Sequence, residues 1–258
     1  MRTDETINIE ENRRINEKYF KLVFRSARLA AGVKPGQFLH VQLGPFLDPF
    51  LRRPFSYYRV QGTRVEVLYE ILGRGTALLA GFGAGAKLKI MGPLGRAFSP
   101  KAGAKKRVLV AGGVGVPPLV FLAETSAVNY LLIGTKSKAE VLPKQELKKV
   151  KAPVLYSTND GSYGKKGFVT LLLEELIRKE GASELFIQTC GPTIMMNAVM
   201  DMARRYKIPG EASMEENMAC GVGACLGCMV KTTKGWTAAC TEGPVFRFDH
   251  LVRDGHGH

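Results

Sequence analysis

Short apolar runs, broken by glycine and proline, fill the first hundred residues: 21–26, 37–43, 55–60, 64–71 and 87–91. Several alternate apolar with polar positions, as Arg64-Val65-Glu66-Val67-Leu68-Tyr69-Glu70-Ile71 does, which is the period of a strand half buried against a core. The pattern predicts an antiparallel barrel or sandwich, with a short helix near 76–81. From Lys105 the pattern changes. A continuous apolar run at 107–111 leads into the turn Gly112-Gly113-Val114-Gly115-Val116-Pro117-Pro118, which opens a helix, and further runs follow at 130–134, 154–157 and 185–189. Stretches of helical period lie between them at 167–180 and 193–206, so the alternation predicts a parallel sheet with helices on both faces. The Gly/Pro/Lys stretch 98–105 reads as a linker and Pro209-Gly210 as a second boundary, giving units over 1–100, 101–209 and 210–258.

The composition supports buried cores, with 45% hydrophobic residues over 258 positions, and no run approaches the roughly 18 apolar residues of a membrane span. The N-terminal residues mix both charge signs and lead into no apolar segment, so the chain is expected in the cytoplasm, off the membrane. The formal charge of +14 fits a nucleic acid, an acidic partner or anionic cofactors. Lys101, Lys105 to Arg107, Lys144 to Lys151 and Lys165-Lys166 lack the interleaved aromatics of a single-strand groove, so the charge reads as a solvated surface or a docking face, with no nucleic acid.

Cysteine is more informative. Cys220-x4-Cys225-x2-Cys228-x11-Cys240 has the C-x4-C-x2-C spacing, plus a distant fourth thiolate, of a plant-type [2Fe–2S] site. Gly221, Gly223 and Gly227 lie between the ligands, where a loop must curl and aim N–H groups at sulfur. Structural zinc, which usually takes two C-x2-4-C pairs, is the alternative. His40, His250, His256 and His258 show no ligand spacing with these cysteines.

In the β-rich half, Arg53-Pro54-Phe55-Ser56 sets a cation and a small hydroxyl at a strand start, suited to a pyrophosphate and a flavin ring nitrogen. Gly73-Arg74-Gly75-Thr76 opens a helix, where free N–H groups favour phosphate. The 112–118 turn has the context of a phosphate loop but not G-x-G-x-x-G, and a tight packing turn explains it equally well. Cys190 ends an apolar run at the edge where α/β sheets bind ligands, although a lone cysteine is more often a small buried hydrophobe.

Together with Cys190-Gly191-Pro192 and the stretch from Met218 to Cys228, these segments resemble the ferredoxin-NADP reductase-like enzymes, and among them the family of electron-transfer subunits of class B, NAD-dependent dihydroorotate dehydrogenase. The resemblance spans nearly the whole chain in order. It implies a six-stranded antiparallel flavin-binding β-barrel, a parallel α/β nucleotide-binding domain and a small C-terminal [2Fe–2S] domain. It implies FAD held by Arg53, Pro54, Phe55, Ser56, Leu68, Tyr69, Glu70, Gly75 and Thr76, and NAD held by the turn with Gly113 and Gly115. Ser56 and Cys190 would flank the reacting rings, and Cys220, Cys225, Cys228 and Cys240 would hold the cluster. It further implies an FMN-containing dihydroorotate dehydrogenase catalytic subunit as partner, in a heterotetramer of two plus two chains serving pyrimidine biosynthesis. The alternative is the small subunit of a related NAD(P)H-dependent ferredoxin or sulfide oxidoreductase. From another class, the rival is a zinc-stabilised nucleic-acid-binding module.

Overall fold

The computed structural model describes residues 2–43, 48–100, 103 and 105–252. Its first sheet contains β1 (Thr3–Arg14), β2 (Tyr19–Arg25), β3 (Phe38–Gln42), β4 (Arg53–Ser56), β5 (Arg59–Gln61), β6 (Arg64–Glu70) and β7 (Lys87–Leu94), in the order β4-β3-β7-β1-β2-β6-β5. The two ends of that order, β4 and β5, are separated in the chain only by Tyr57 and Tyr58. The expected single strand at 55–60 is therefore bent, and it closes the sheet into a six-stranded barrel. At the bend both tyrosines are fully buried, Tyr57 in the barrel core and Tyr58 in the cluster on the opposite face of the wall. Tyr57 donates to the Leu29 carbonyl beside the barrel core, whereas Tyr58 donates to Glu146 on the other side of the wall. Helix α1 (Ala27–Ala30) is capped by the Ser26 hydroxyl, and α2 (Arg74–Ala80) follows β6.

The second sheet runs β11-β10-β9-β8-β12-β13-β16, from β8 (Lys106–Gly112), β9 (Tyr130–Thr135), β10 (Val154–Thr158), β11 (Lys165–Lys166), β12 (Leu185–Cys190), β13 (Gly210–Ser213) and β16 (Val245–Arg247). All pairings are parallel except β13 with β16. Helix α3 (Val116–Thr125) covers one face, while α4 (Val169–Glu180) and α5 (Thr193–Arg205) cover the other, as two separate apolar clusters show. The sheet does not stop at Pro209-Gly210, because β13 begins there and pairs with β12. The cysteine segment thus leaves and re-enters the second sheet, and it carries the hairpin β14 (Met229–Thr232) and β15 (Gly235–Ala238) and the single turn α6 (Ala239–Glu242). Of the expected linker, Lys101, Ala102 and Ala104 lie outside the described residues, as do His256 and His258.

A polar seam joins barrel to sheet. Arg59 is held bidentately by Glu124, with Nε at 2.7 Å from Oε2, and Lys21 Nζ donates to Glu146 Oε1 at 2.7 Å. Lys18 bridges Glu70 and Glu140 at 3.3 and 3.2 Å. These side chains are largely buried, so the seam is a set of compensated charges that fixes one orientation of the two sheets.

Candidate functional site

Between the barrel and the second sheet lies a cleft of about 450 Å³. Antiparallel pairing with β3 places Arg53, Pro54, Phe55 and Ser56 along one side, with Val41 opposite Arg53 and Phe38 opposite Ser56. The end of β6 adds Leu68, Tyr69 and Glu70, and the start of α2 adds Gly75 and Thr76. Gly75 is required by space: a Cβ there would lie 2.8 Å from Arg53 Nε, so the missing side chain lets the guanidinium lie across the helix start. Arg53 Nη1 donates to the Leu51 carbonyl at 2.5 Å, and no carboxylate pairs with it among the described residues. The Thr76 hydroxyl is occupied locally, accepting from the Leu72 and Gly73 N–H groups.

Asn12, which the sequence pattern does not single out, organises this wall. Its amide donates to the Leu79 and Phe82 carbonyls at 2.7 and 2.9 Å, and its oxygen accepts from the Tyr69 hydroxyl at 2.9 Å. The Tyr69 ring is also met edge-on by Phe55, at 5.7 Å between centroids.

Across the cleft stand Cys190, Val114 and the segment 213–218. Gly113 and Gly115 do not line it. Gly115 packs directly on the Cys190–Gly191 backbone, leaving no room for a side chain, and the Gly113 carbonyl accepts from the Tyr19 hydroxyl at 2.7 Å. The turn is thus wedged between barrel and β12. Cys190 is 2% exposed, and its thiol donates to Glu215 Oε1 at 3.6 Å. Burial first, then the Glu215 carboxylate, pushes that thiol well above its ordinary range, so it stays protonated. Glu215 is open to the cleft but crowded by protein on its other sides, and this desolvation raises its carboxyl from 4.5 to about 7. Sequence reasoning missed Glu215. Its one signal was position, an acidic residue five places before the first cluster-type cysteine.

The four cysteines gather around one loop. The Val222 and Cys225 N–H groups each donate to Cys220 Sγ at 3.4 Å, Gly223 N–H to Cys240 Sγ at 3.1 Å, and Cys240 N–H to Cys228 Sγ at 3.4 Å. Burial opposes ionisation of Cys220, but the N–H groups of Val222 and Cys225 outweigh it and bring the thiol to about 6. Cys240 goes the other way, to about 12, through burial and the adjoining Cys228 thiol. Gly221 and Gly223 have φ of +70° and +82°, the left-handed turns that aim these N–H groups inward. Among the described residues no three His, Cys, Asp or Glu side chains meet at a point set for a single ion. The donor set of soft thiolates met by backbone N–H groups fits a cluster with sulfides of its own.

Solved structures share this architecture. The NADH-dependent reduced ferredoxin-NADP oxidoreductase of flavin-based electron bifurcation superposes with a TM-score of 0.84 at 26% identity, covering 95% of this chain and 89% of that one. A ferredoxin NADP+ reductase from Neisseria gonorrhoeae with bound FAD and NADP gives 0.68 at 14% identity, over 79% and 91%, a likeness of fold. Barrel, parallel sheet and shared cleft define a reductase of the ferredoxin-NADP reductase type, extended by a four-cysteine segment. Residues 215–252 match the iron-sulfur cluster binding domain of dihydroorotate dehydrogenase B. The dihydroorotate dehydrogenase B (NAD+) electron transfer subunits of Desulforamulus reducens and Clostridium acetobutylicum are 38% and 36% identical, over 85% and 95% of this chain and 86% and 95% of their own lengths. The chain belongs to the family of dihydroorotate dehydrogenase B (NAD+) electron transfer subunits.

Proposed function

We propose that the chain carries electrons between NAD(H) and a partner subunit that holds FMN and oxidises dihydroorotate, in pyrimidine biosynthesis. The observation that carries this reading is convergence: all nine residues of the flavin-type segments line one cleft, and Cys190 of the nucleotide-type sheet faces them across it. FAD fits there. Arg53, without a carboxylate partner among the described residues, supplies charge for a pyrophosphate, with Gly75 and Thr76 beside it; Pro54, Phe55 and Ser56 border the ring, and Leu68, Tyr69 and Glu70 form the remaining wall. Bound FAD supplies the exchange between a hydride and single electrons that NAD and a [2Fe–2S] cluster require. Cys220, Cys225, Cys228 and Cys240 hold that cluster. The turn at Gly113 and Gly115 holds NAD, its carbonyl fixed by Tyr19 and its backbone pressed on Cys190. Ser56 and Cys190 flank the two rings, and a protonated Cys190 acts there by shape and by its bond to Glu215, not as a nucleophile.

Cys225 and Leu226 are exposed, so the cluster loop faces outward to the partner, in an assembly of two chains of each kind. No helix among the described residues is long and apolar enough to cross a membrane, and the complex is assigned to the cytoplasm. The units 1–100, 101–209 and 210–258 serve flavin, nucleotide and cluster, although the last shares two strands with the second sheet. Reconstitution with an FMN-containing catalytic subunit tests the reading: dihydroorotate should reduce NAD+ only when this chain is present, and equal NAD+ reduction without it would refute the assignment. The likeness to the bifurcating oxidoreductase supports a second reading, the small subunit of a ferredoxin or sulfide oxidoreductase, whose chain would co-purify with a large flavoprotein instead.

A further inference from the structure

In the strand Phe38-Leu39-His40-Val41-Gln42, alternation points Leu39 and Val41 into the barrel core and Phe38 and His40 outward. An outward histidine on a barrel strand would ordinarily meet water. His40 is instead 0% exposed, because the cysteine segment covers it. Its Nε2 lies 3.2 Å from the Met218 carbonyl, which can only accept, so Nε2 bears the hydrogen and donates. Nδ1 is then a bare acceptor, and among the described residues it has no hydrogen-bond partner. A Cβ on Gly221 would sit 2.6 Å from it, so the ring edge fills the place where a side chain at 221 would begin. Met218 and Gly221 bracket Cys220. On its own strand, His40 pairs with Pro54 of the flavin cleft, and its carbonyl accepts from Arg52 at 3.3 Å.

A leucine would fill this space with no unpaired atom, and a buried acceptor without a partner is costly. The imidazole is explained if its donor is needed. We propose that His40 is the positioning residue that ties the cluster loop to the flavin barrel: its Nε2–H anchors the chain two residues before Cys220, its ring edge sets the chain one residue after, and the strand beneath lines the flavin cleft. The inference rests on the reading of Cys220 as a cluster ligand. His40 acts through the loop backbone and touches no sulfur in this role, as an outer partner that fixes where a ligand stands.

The test compares His40→Leu with His40→Gln in the full chain, following iron release to a chelator, the EPR signature of the reduced cluster, and flavin content. Leucine keeps the packing without the donor; glutamine restores a donor of similar reach. His40→Leu should lose iron about tenfold faster with a shifted EPR signature, the lower end of what outer partners of metal ligands contribute. His40→Gln should recover most of the retention, and flavin content should hold in both. A leucine variant indistinguishable from wild type, or a glutamine variant no better than leucine, overturns the proposal. If His40→Leu does not accumulate, His40→Met, apolar and without a donor, takes its place beside His40→Gln: it should lose iron faster than wild type and than His40→Gln, and equal retention in the two variants counts against the clamp. Wild-type protein without iron would instead defeat the ligand reading itself, a separate outcome.

Discussion

Arg53 and Glu215 show how single residues set the chemistry of the cleft. Arg53 is steadied by main-chain carbonyls and by the space that Gly75 leaves, so its charge is available to a ligand. Replacing it with alanine should weaken FAD binding by about 10- to 100-fold, the range of one charged hydrogen-bonding contact, as read by flavin content after dialysis. Unchanged flavin retention would remove the pyrophosphate role. Glu215 carries the opposite sign. Because folding raises its carboxyl from 4.5 to about 7, the folded chain binds more protons than the unfolded one between those values. The stability it contributes is fully present below pH 4.5 and is lost as pH rises through about 7. Glu215→Gln should therefore raise the unfolding temperature at pH 8 and leave it unchanged at pH 4; an equal change at both would show that its ionisation is not the cause.

The elements differ in how far their sequence announces them. Strands β6, β8, β9 and β12 were legible from alternation or continuous apolar runs, and α4 and α5 from helical period, because each buries a face large enough to mark the chain. Strand β1 was not, since Thr3–Arg14 buries only Ile7 and Ile9 and is otherwise polar on an exposed wall. Strands β13 and β16 were hidden for another reason: each is short, and each depends on the sheet edge it joins rather than on its own pattern. The site was legible wherever chemistry demands a spacing, as in the cysteine loop and Arg53-Pro54-Phe55-Ser56. It was silent at Asn12, Glu215 and His40, whose roles come from partners far along the chain. The seam is likewise invisible in sequence. Lys21 and Glu146 are both largely buried and pair with each other, so Glu146→Ala should cost about 3–5 kcal/mol in chemical unfolding. A loss below 1 kcal/mol would mean that the seam holds the sheets by packing instead.

At the scale of the whole molecule, three segments that could each be ordinary form one path because they share walls. The strands of the cleft back onto the cysteine loop through β3, the 112–118 turn is wedged between Tyr19 and β12, and the seam joins barrel to sheet. The central claim is that one chain joins NAD, a flavin and a cluster in series. An anaerobic titration with NADH, followed by absorbance and EPR after flavin and iron are quantified, tests it most directly, with Cys225→Ser as the control. About one flavin and about two irons per chain, both reduced by NADH, with only the flavin reduced in the variant, is the result expected of a four-thiolate [2Fe–2S] site beside the cleft. A colourless protein, or a flavin that NADH reduces while the cluster stays oxidised, would contradict it.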